Sequence, residues 1–395
     1  MEKVRLKDLD CFISDGNYSS KYPRSDEFVK EGIPFIRCNN FKNNTITKED
    51  MYYITKEKHS VLQKGHLKQG DILITTRGSL GQVVIVPKEY EDANINAQIV
   101  LLRVNKEKIY NRYLMWQLKS RNIQNQIMKN KTGTALPQLP ISKLEKIEFL
   151  VVEDIEEQIA IATKLDKIQD IVDMRKKQIE DLEELIKFQF VEMFGRVELN
   201  DKKFEEQEMR CIADISSSKR IYADEYQENG IPFYRSKEII ELGHNKKPSI
   251  ELFISKNRYE EIKDKYGIPK KGDILITAVG TIGETWIVDT DEPFYYKDGN
   301  VLQIRLNTDI SQIYFKYVLD TLISIFKNKN VSGSAYSALT IEKFKKMKII
   351  LPPITLQNQF ADIVKQINKQ RFAIQKSLEE MQKLQESLMN KYFWG

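Results

Sequence analysis

The chain has 395 residues, of which 41% are hydrophobic and 30% charged, with a formal net charge of +5. That length suits two or more domains, and the charged fraction fits long solvated helices beside globular units. Three scattered cysteines, Cys11, Cys38 and Cys211, without a C-x-x-C pair, exclude a disulfide framework and a zinc ribbon. No apolar run has the form of a signal peptide or the length of a membrane span, so a soluble, cytoplasmic protein is expected.

Residues 1–150 read as an α/β globule: strands such as DILIT (71–75) and QVVIV (82–86), rich in β-branched residues, then helical stretches near 109–130. Gly78-Ser79-Leu80-Gly81 follows the first of these strands. It lacks the Lys-Ser/Thr pair of a phosphate loop and does not open a helix as a dinucleotide fingerprint does, so it reads as a turn between strands.

Residues 151–195 carry a heptad frame with Ile161, Leu165, Ile168, Val172, Arg175, Ile179, Leu182, Ile186, Gln189 and Met193 at spacings of three and four. The pattern predicts a coiled-coil helix whose polar positions help set register or partner choice. Residues 196–350 then repeat the globule, and 351–395 repeat the helix with Ile363, Ile367, Gln370, Ile374, Ser377, Met381, Leu384 and Leu388 along its seam.

The repetition is a duplication of the whole half-chain. Gly32-Ile33-Pro34-Phe35 returns as Gly230-Ile231-Pro232-Phe233, GDILIT (70–75) as 272–277, and IVLLRVN (99–105) as VLQIRLN (301–307). Lys131-Thr132-Gly133-Thr134-Ala135 returns as Val331-Ser332-Gly333-Ser334-Ala335, and Phe194-Gly195 is matched to Trp394-Gly395. The drifting offset places small insertions and deletions in loops between fixed landmarks. Antiparallel pairing of the two helices would bring the C-terminus back to the first globule, closing a pseudo-two-fold arrangement. A helix of about 37 residues rises roughly 55 Å, on the order of 16 base pairs of duplex.

Charge is unevenly placed. Residues 101–150 hold ten Lys/Arg against three Asp/Glu, and 301–350 hold eight against three, whereas 151–195 hold six against twelve. Two basic regions at equivalent positions point to two contacts with a polyanion. Reading DNA requires Arg or Lys at phosphates and Arg, Asn, Gln, Ser or Thr at base edges. In the first half the candidates are Arg77 and Ser79 at the strand turn, with Arg112, Lys119, Arg121, Lys129, Lys131, Thr132, Gly133 and Thr134. Those of the second half are Arg235, Lys237, Thr281, Lys327, Lys329, Ser332, Gly333, Ser334 and Tyr336. Arg77 aligns with Val279, so the halves are expected to read different sequences.

Catalytic constellations are not seen. His59, His66 and His244 form no ligand cluster in the sequence, and the first two are expected on exposed loops. The only Pro-Pro, Pro352-Pro353, stands before a helix and not in an Asn/Asp-Pro-Pro-aromatic motif. No catalytic residue, metal or cofactor is assigned to this chain.

The order globule, long helix, globule, long helix resembles the DNA-specificity subunits of type I restriction-modification systems over essentially the full chain. The resemblance rests on GDILIT before a glycine turn, the Thr132-Gly133 and Ser332-Gly333 elements, and helices opening with EEQIA (156–160) or QNQFA (357–361). The second helix follows Leu351-Pro352-Pro353, as is usual there, whereas the first follows Val151-Val152-Glu153. The resemblance implies two target-recognition domains (1–150 and 196–350) and two spacer helices (151–195 and 351–395). Each domain would read half of a bipartite double-stranded target around a fixed gap. The helices would dock two copies of an adenine-methylating modification subunit, with ATP-driven restriction subunits joining the assembly. S-adenosylmethionine, and ATP with Mg²⁺, would then belong to those partners. Two other classes stay open at this point: a single-chain restriction or modification enzyme, and a coiled-coil adaptor whose globules bind protein.

Overall fold

The structure, a computed structural model, describes residues 2–18, 21–42, 44–330 and 340–394, with 328–330 as backbone alone. Its two compact units are Met1–Lys177 with Gln375–Gly395, and Gln178–Ile374. Each unit therefore contains half of each long helix.

In the first unit the main elements are β1 (Glu2–Arg5), β2 (Cys11–Asp15), β3 (Ile33–Ile36), β4 (Tyr52–Ile54), α1 (Lys56–Val61), β5 (Ile72–Thr75), β6 (Val83–Ile85), β7 (Asn94–Ile95), β8 (Ile99–Val104), α2 (Asn111–Lys119), α3 (Arg121–Asn130), β9 (Glu148–Val151) and α4 (Ile155–Phe194). The mixed helix and sheet class is the expected one, and its sheets are largely antiparallel. The central sheet runs β2-β8-β5-β6, β1 pairs with β9, and a small sheet β4-β3-β7 contains one parallel pair, β3 with β7.

Alternation of side chains divides β5 between two cores. Ile72 and Ile74 join Leu102, Tyr113, Trp116 and the helix residues Ile161 and Leu165 on one face, while Leu73 joins Val84, Ile99 and Leu101 on the other. This two-sided burial explains why DILIT is apolar without a polar alternation. Its flanking Asp71, only 1% exposed at its side chain, receives a bidentate bond from Arg103, with Nε to Oδ1 and a terminal nitrogen to Oδ2 both at 2.7 Å.

The start of α4 is set by Gln158, which is fully buried. Its Oε1 accepts from the Tyr110 amide at 2.9 Å, and its Nε2 donates to the Val152 carbonyl at 2.7 Å. In the same unit the C-terminal half of the last helix runs antiparallel to α4. Gln385 donates to Gln169 at 2.9 Å, and Phe393 packs on Tyr113 with ring centroids 5.5 Å apart.

The second unit repeats this plan with β10 (Glu205–Glu208), β11 (Ala213–Ser217), β12 (Ile231–Tyr234), β13 (Phe253–Ile254), α5 (Lys256–Tyr266), β14 (Ile274–Thr277), β15 (Thr285–Ile287), β16 (Tyr295–Tyr296), β17 (Val301–Leu306), α6 (Gln312–Asn330), β18 (Lys348–Leu351) and α7 (Ile354–Phe393). The sheet order is β11-β17-β14-β15, and β10 pairs with β18. Asp273 and Arg305 repeat the buried pair at 2.8 and 2.6 Å. Gln357 accepts from the Ser311 amide at 3.0 Å and donates to the Pro352 carbonyl at 2.8 Å. Val152 thus serves as Pro352 does, and the missing prolines do not alter how the first helix starts.

Three details of the helices differ from the sequence reading. Laying EEQIA over QNQFA would pair Gln158 with Gln359, but the hydrogen bonds make Gln357 its equivalent, because only a residue one turn into the helix reaches back to the preceding strand. At the other end Phe393, not Trp394, matches Phe194: Phe194 is buried on Tyr314 in the second unit as Phe393 is on Tyr113 in the first. The seam of α4 is buried or half-buried at every predicted position; along α7 Ile374, Ser377, Met381 and Leu388 are half-buried as predicted, and two positions differ. Gln370 and Leu384 are exposed, and Arg371, Leu378 and Gln385 turn inward instead; Arg371 meets Glu183 at 3.1 Å. The inward positions 367, 371, 374, 378, 381, 385 and 388 still keep a seven-residue repeat, with every second seam position one residue later than predicted.

Candidate nucleic-acid interface

The repeated Thr-x-x-Gly-x-x-Gly segment is a hydroxyl-organised turn. Thr75, fully buried, donates from Oγ1 to the Ser79 carbonyl and accepts from the Gln82 amide at 3.0 Å, while the Gly81 amide returns to the Thr75 carbonyl at 2.9 Å. In the second unit Thr277 donates to the Thr281 carbonyl at 2.5 Å and accepts from the Glu284 amide at 3.0 Å. Gly78 and Gly280 sit at the tips with φ of 72° and 78° and open space where a Cβ would lie. Each turn presents its tip to solvent.

In the first unit a second segment lies along this turn. Thr132 and Gln138 exchange backbone hydrogen bonds at 2.8 and 2.9 Å and close the intervening residues into a loop. That loop is bonded to the turn: the Gly78 amide donates to the Pro137 carbonyl at 3.2 Å and the Leu139 amide to the Thr76 carbonyl at 2.8 Å. Gly133 has a φ of 81°, and a Cβ there would approach the Leu136 carbonyl oxygen to 2.8 Å, so the loop needs glycine at this position.

The structure therefore brings Arg77, Ser79, Lys131, Thr132, Gly133 and Thr134 onto one projection, with Lys129 at the adjoining end of α3. All of these except half-buried Arg77 are exposed. Arg77 pairs with no carboxylate among the described residues. Its guanidinium lies 5.3 Å from the ring centre of Tyr18, whose hydroxyl donates to the Ala97 carbonyl at 2.9 Å. Tyr18, 42% exposed, is a candidate that sequence reasoning missed, since nothing local links it to Arg77.

Other predicted contacts are placed differently. Arg112 grips Asp166 of α4 through two nitrogens at 2.5 and 2.8 Å, and the Trp116 indole donates to the same carboxylate at 2.8 Å. These bonds raise the pKa of the Arg112 guanidinium and clamp α2 to the long helix. Lys119 donates to Asn44 at 3.0 Å, and burial, followed by the nearby Arg112 charge, pushes its ammonium down to about 8. It lines a shallow cleft of about 340 Å³ with Phe41, Asn44, Gly81 and Gln124. Arg121 is exposed at the far end of α3, about 15 Å along the helix from Lys131.

In the second unit the turn places Thr281 and Val279 in solvent, Val279 being 45% exposed where the first unit has Arg77. Arg235 is engaged by Glu238 at 2.9 Å and Glu251 at 2.8 Å, and Lys237 by Glu251 at 2.7 Å. The Glu238 carboxylate, then Glu251, hold the Arg235 guanidinium well above its usual range; Lys237 and Arg235 hold Glu251 down to about 2. Lys327 is exposed, with its chain against Gly283 of the turn. The side chain of Lys329, and Ser332, Gly333, Ser334 and Tyr336, lie outside the described residues.

The histidines differ from expectation. His59 and His66 are both half-buried with ring centroids 4.6 Å apart, and Asp92 lies beside them; helix α1 and two loop segments that sequence separates meet there. Among the described residues no helix is long and apolar enough to cross a membrane.

The family model described as the type I restriction modification DNA specificity domain matches residues 1–184 and again 201–384. The chain is 25% identical over 418 residues to the specificity subunit of the MjaIX type I restriction enzyme of Methanocaldococcus jannaschii, covering 99% of this chain and 92% of that one. A Haemophilus influenzae chain provisionally named a type I restriction enzyme specificity subunit is 26% identical over 383 residues, covering 92% and 87% respectively. Among solved structures, the type I S subunit from M. genitalium aligns with a TM-score of 0.60 at 16% identity, over 100% of this chain and 96% of its own. A chain solved in work on the assembly and conformational transition of a type I system aligns at 0.59 with 17% identity, over 99% and 96%. At these identities the two structures speak to the fold.

Proposed function

The chain belongs to the type I restriction-modification DNA specificity family, the noncatalytic DNA-recognition component of such systems, and we propose that its two repeats read the two halves of a bipartite double-stranded target separated by a fixed unread gap. The observation that carries this reading is a duplicated scaffold with unlike tips. The buried pairs Asp71–Arg103 and Asp273–Arg305 and the threonine-organised turns are the same in both units, whereas Arg77 at one tip is Val279 at the other. A common scaffold with different exposed groups suits recognition of two different half-sites.

In the first unit, Arg77 on the Tyr18 ring has no carboxylate partner among the described residues and is available to a bidentate acceptor such as a guanine edge. Lys129 and Lys131, beside the open backbone at Gly133, suit phosphates. The long helices offer apolar groups to a protein partner. On α4, Leu185, Phe188 and Val191 are 41%, 61% and 50% exposed at helical spacing, and Phe372 of α7 is 72% exposed. They fit docking of two modification subunits and, through the assembly, restriction subunits. S-adenosylmethionine and ATP with Mg²⁺ act in those partners.

The test is co-expression with the cognate modification subunit, followed by mapping of N6-methyladenine on host DNA. Methylation at two short defined halves around a constant gap, lost when this chain is omitted, is the expected result. A stable active complex whose methylation does not depend on this chain would overturn the reading.

A further inference from the structure

The first unit carries a polar cluster at a place where its repeat is filled by apolar core. The Thr55 hydroxyl caps α1 by accepting from the Lys58 amide, as Ser255 does for Arg258 in α5, so His59 corresponds to Tyr259. Arg103 donates to the His66 carbonyl as Arg305 does to that of Ile268. Asn94 lies beside Phe35 as Tyr295 lies beside Phe233. In the second unit Tyr259, Tyr295 and Ile268 belong to one apolar cluster with Phe233 and Ile254. The fold therefore does not need polar groups here, yet the first unit packs two imidazoles and the fully buried Asn94 into the same position.

The hydrogen bonds set which nitrogens are left free. Asn94 Nδ2 donates to the Gly65 carbonyl at 3.4 Å, which turns its Oδ1 toward His59 Nδ1. His59 therefore carries its proton on Nδ1 and leaves the Nε2 lone pair 3.3 Å from Asp92 Oδ2. A lone pair and a carboxylate oxygen at that distance repel unless a cation lies between them, either a proton or a metal ion. His66 donates from Nε2 to the Leu62 carbonyl at 2.6 Å and keeps its own lone pair on Nδ1. One ligand atom from each of His59, His66 and Asp92 lies within 4.8 Å of the others.

Imidazoles that hold metals are fixed in this way, with the far nitrogen donating to an oxygen acceptor and the near one unprotonated. The His59 to Asp92 separation also matches a tetrahedral shell, in which bonds of about 2.0–2.1 Å place neighbouring ligands roughly 3.3 Å apart.

We propose that His59, His66 and Asp92 bind a first-row divalent cation, zinc by its preference for nitrogen and carboxylate ligands in a four-coordinate shell, with water in the fourth position. The ion joins α1, the segment leading to β5 and the turn before β7, and so braces the first unit at a place where the second is braced by apolar packing. The site is independent of the DNA-reading proposal.

The experiment uses the untagged full-length chain, freed of metal with a chelator and titrated separately with Zn²⁺ and Co²⁺. One equivalent of zinc should bind and raise the thermal midpoint, and cobalt should give the intensified visible absorption of a four-coordinate site. Asp92→Gly removes an exposed carboxylate at a position of φ 65°, where glycine is unstrained, so this variant should fold. It should weaken zinc binding at least about tenfold, and His59→Gln should do the same. No stoichiometric binding by the native chain, or equal binding by the native and Asp92→Gly chains, would overturn the proposal in favour of a proton shared by His59 and Asp92.

Discussion

Phe393 offers a direct test of how α7 ends. It is 2% exposed in the core of the first unit, beside Tyr113 and in the same cluster as Trp116. Tyr113 is tied by its hydroxyl to the Leu150 carbonyl at 3.0 Å, and Asn122 donates to the Phe393 carbonyl at 3.4 Å, so the walls around the ring have little freedom to collapse. Phe→Ala at a buried site costs about 3–5 kcal/mol, and the helix-end location, where the chain can relax, favours about 3 kcal/mol. The three tryptophans make the loss assignable: Trp116 and Trp286 are each 4% exposed, in different units, and Trp394 is 51% exposed. In a Trp286→Phe, Trp394→Phe background, fluorescence reports the first unit; with Trp116→Phe and Trp394→Phe it reports the second. At a urea slope of about 2 kcal/mol/M, Phe393→Ala should lower the Trp116 midpoint by about 1.5 M and move the Trp286 midpoint far less. A Trp116 midpoint displaced by under about 0.3 M, or equal displacement of both, would refute the reasoning.

Replacing Arg103 with Met leaves the Asp71 carboxylate buried without its guanidinium and should cost about 3 kcal/mol in urea unfolding, whereas the joint replacement Asp71→Leu with Arg103→Met should cost much less. Arg112→Gln, by releasing Asp166, should lower stability and leave the salt dependence of duplex binding unchanged, whereas Lys131→Gln should flatten that dependence by about one unit of slope. Arg77→Val, which installs the residue of the second tip, should relax the methylation motif in one half only, read by adenine methylation mapping. Lys119, held at about 8 against an ordinary 10.5, binds its proton less readily folded than unfolded. Below pH 8 both states are charged and the folded state bears the cost of burial; as pH rises from 8 to 10.5 the folded state sheds the proton first, so stability should rise. Lys119→Met should therefore stabilise the chain at pH 7 by on the order of 1–2 kcal/mol after screening, with the gain fading across that window in urea titrations at successive pH.

The duplication was legible because its landmarks are groups that each unit needs for its own closure: the Asp of GDILIT for its buried arginine, the threonine for its turn, the alternating apolar residues for two cores. Such requirements are met by residue type at fixed local spacing, and a single sequence displays them. The first long helix was readable for the same reason, since its seam is a property of covalent neighbours. Where two registers were both locally acceptable, partners decided: Arg371 rather than Gln370 turns inward, where Glu183 receives it. The matching of helix starts was likewise decided by the buried amide of Gln357 and not by its neighbours in sequence.

Charge and polar chemistry were legible as composition but not as sites. Ten basic residues in 101–150 announce a polyanion, yet only the fold reveals that Arg112 is spent on Asp166, 54 positions away, while Arg77 is left to Tyr18. His59, His66 and Asp92 are unremarkable in sequence and adjacent in space. The repeat, the central strands, the long helices and the family were legible from residue type and local spacing alone. The tertiary structure decided which charged and polar groups are committed and which are free, because a side chain's electrostatic partner is whatever chain closure brings within a few ångströms, and local sequence carries no record of that.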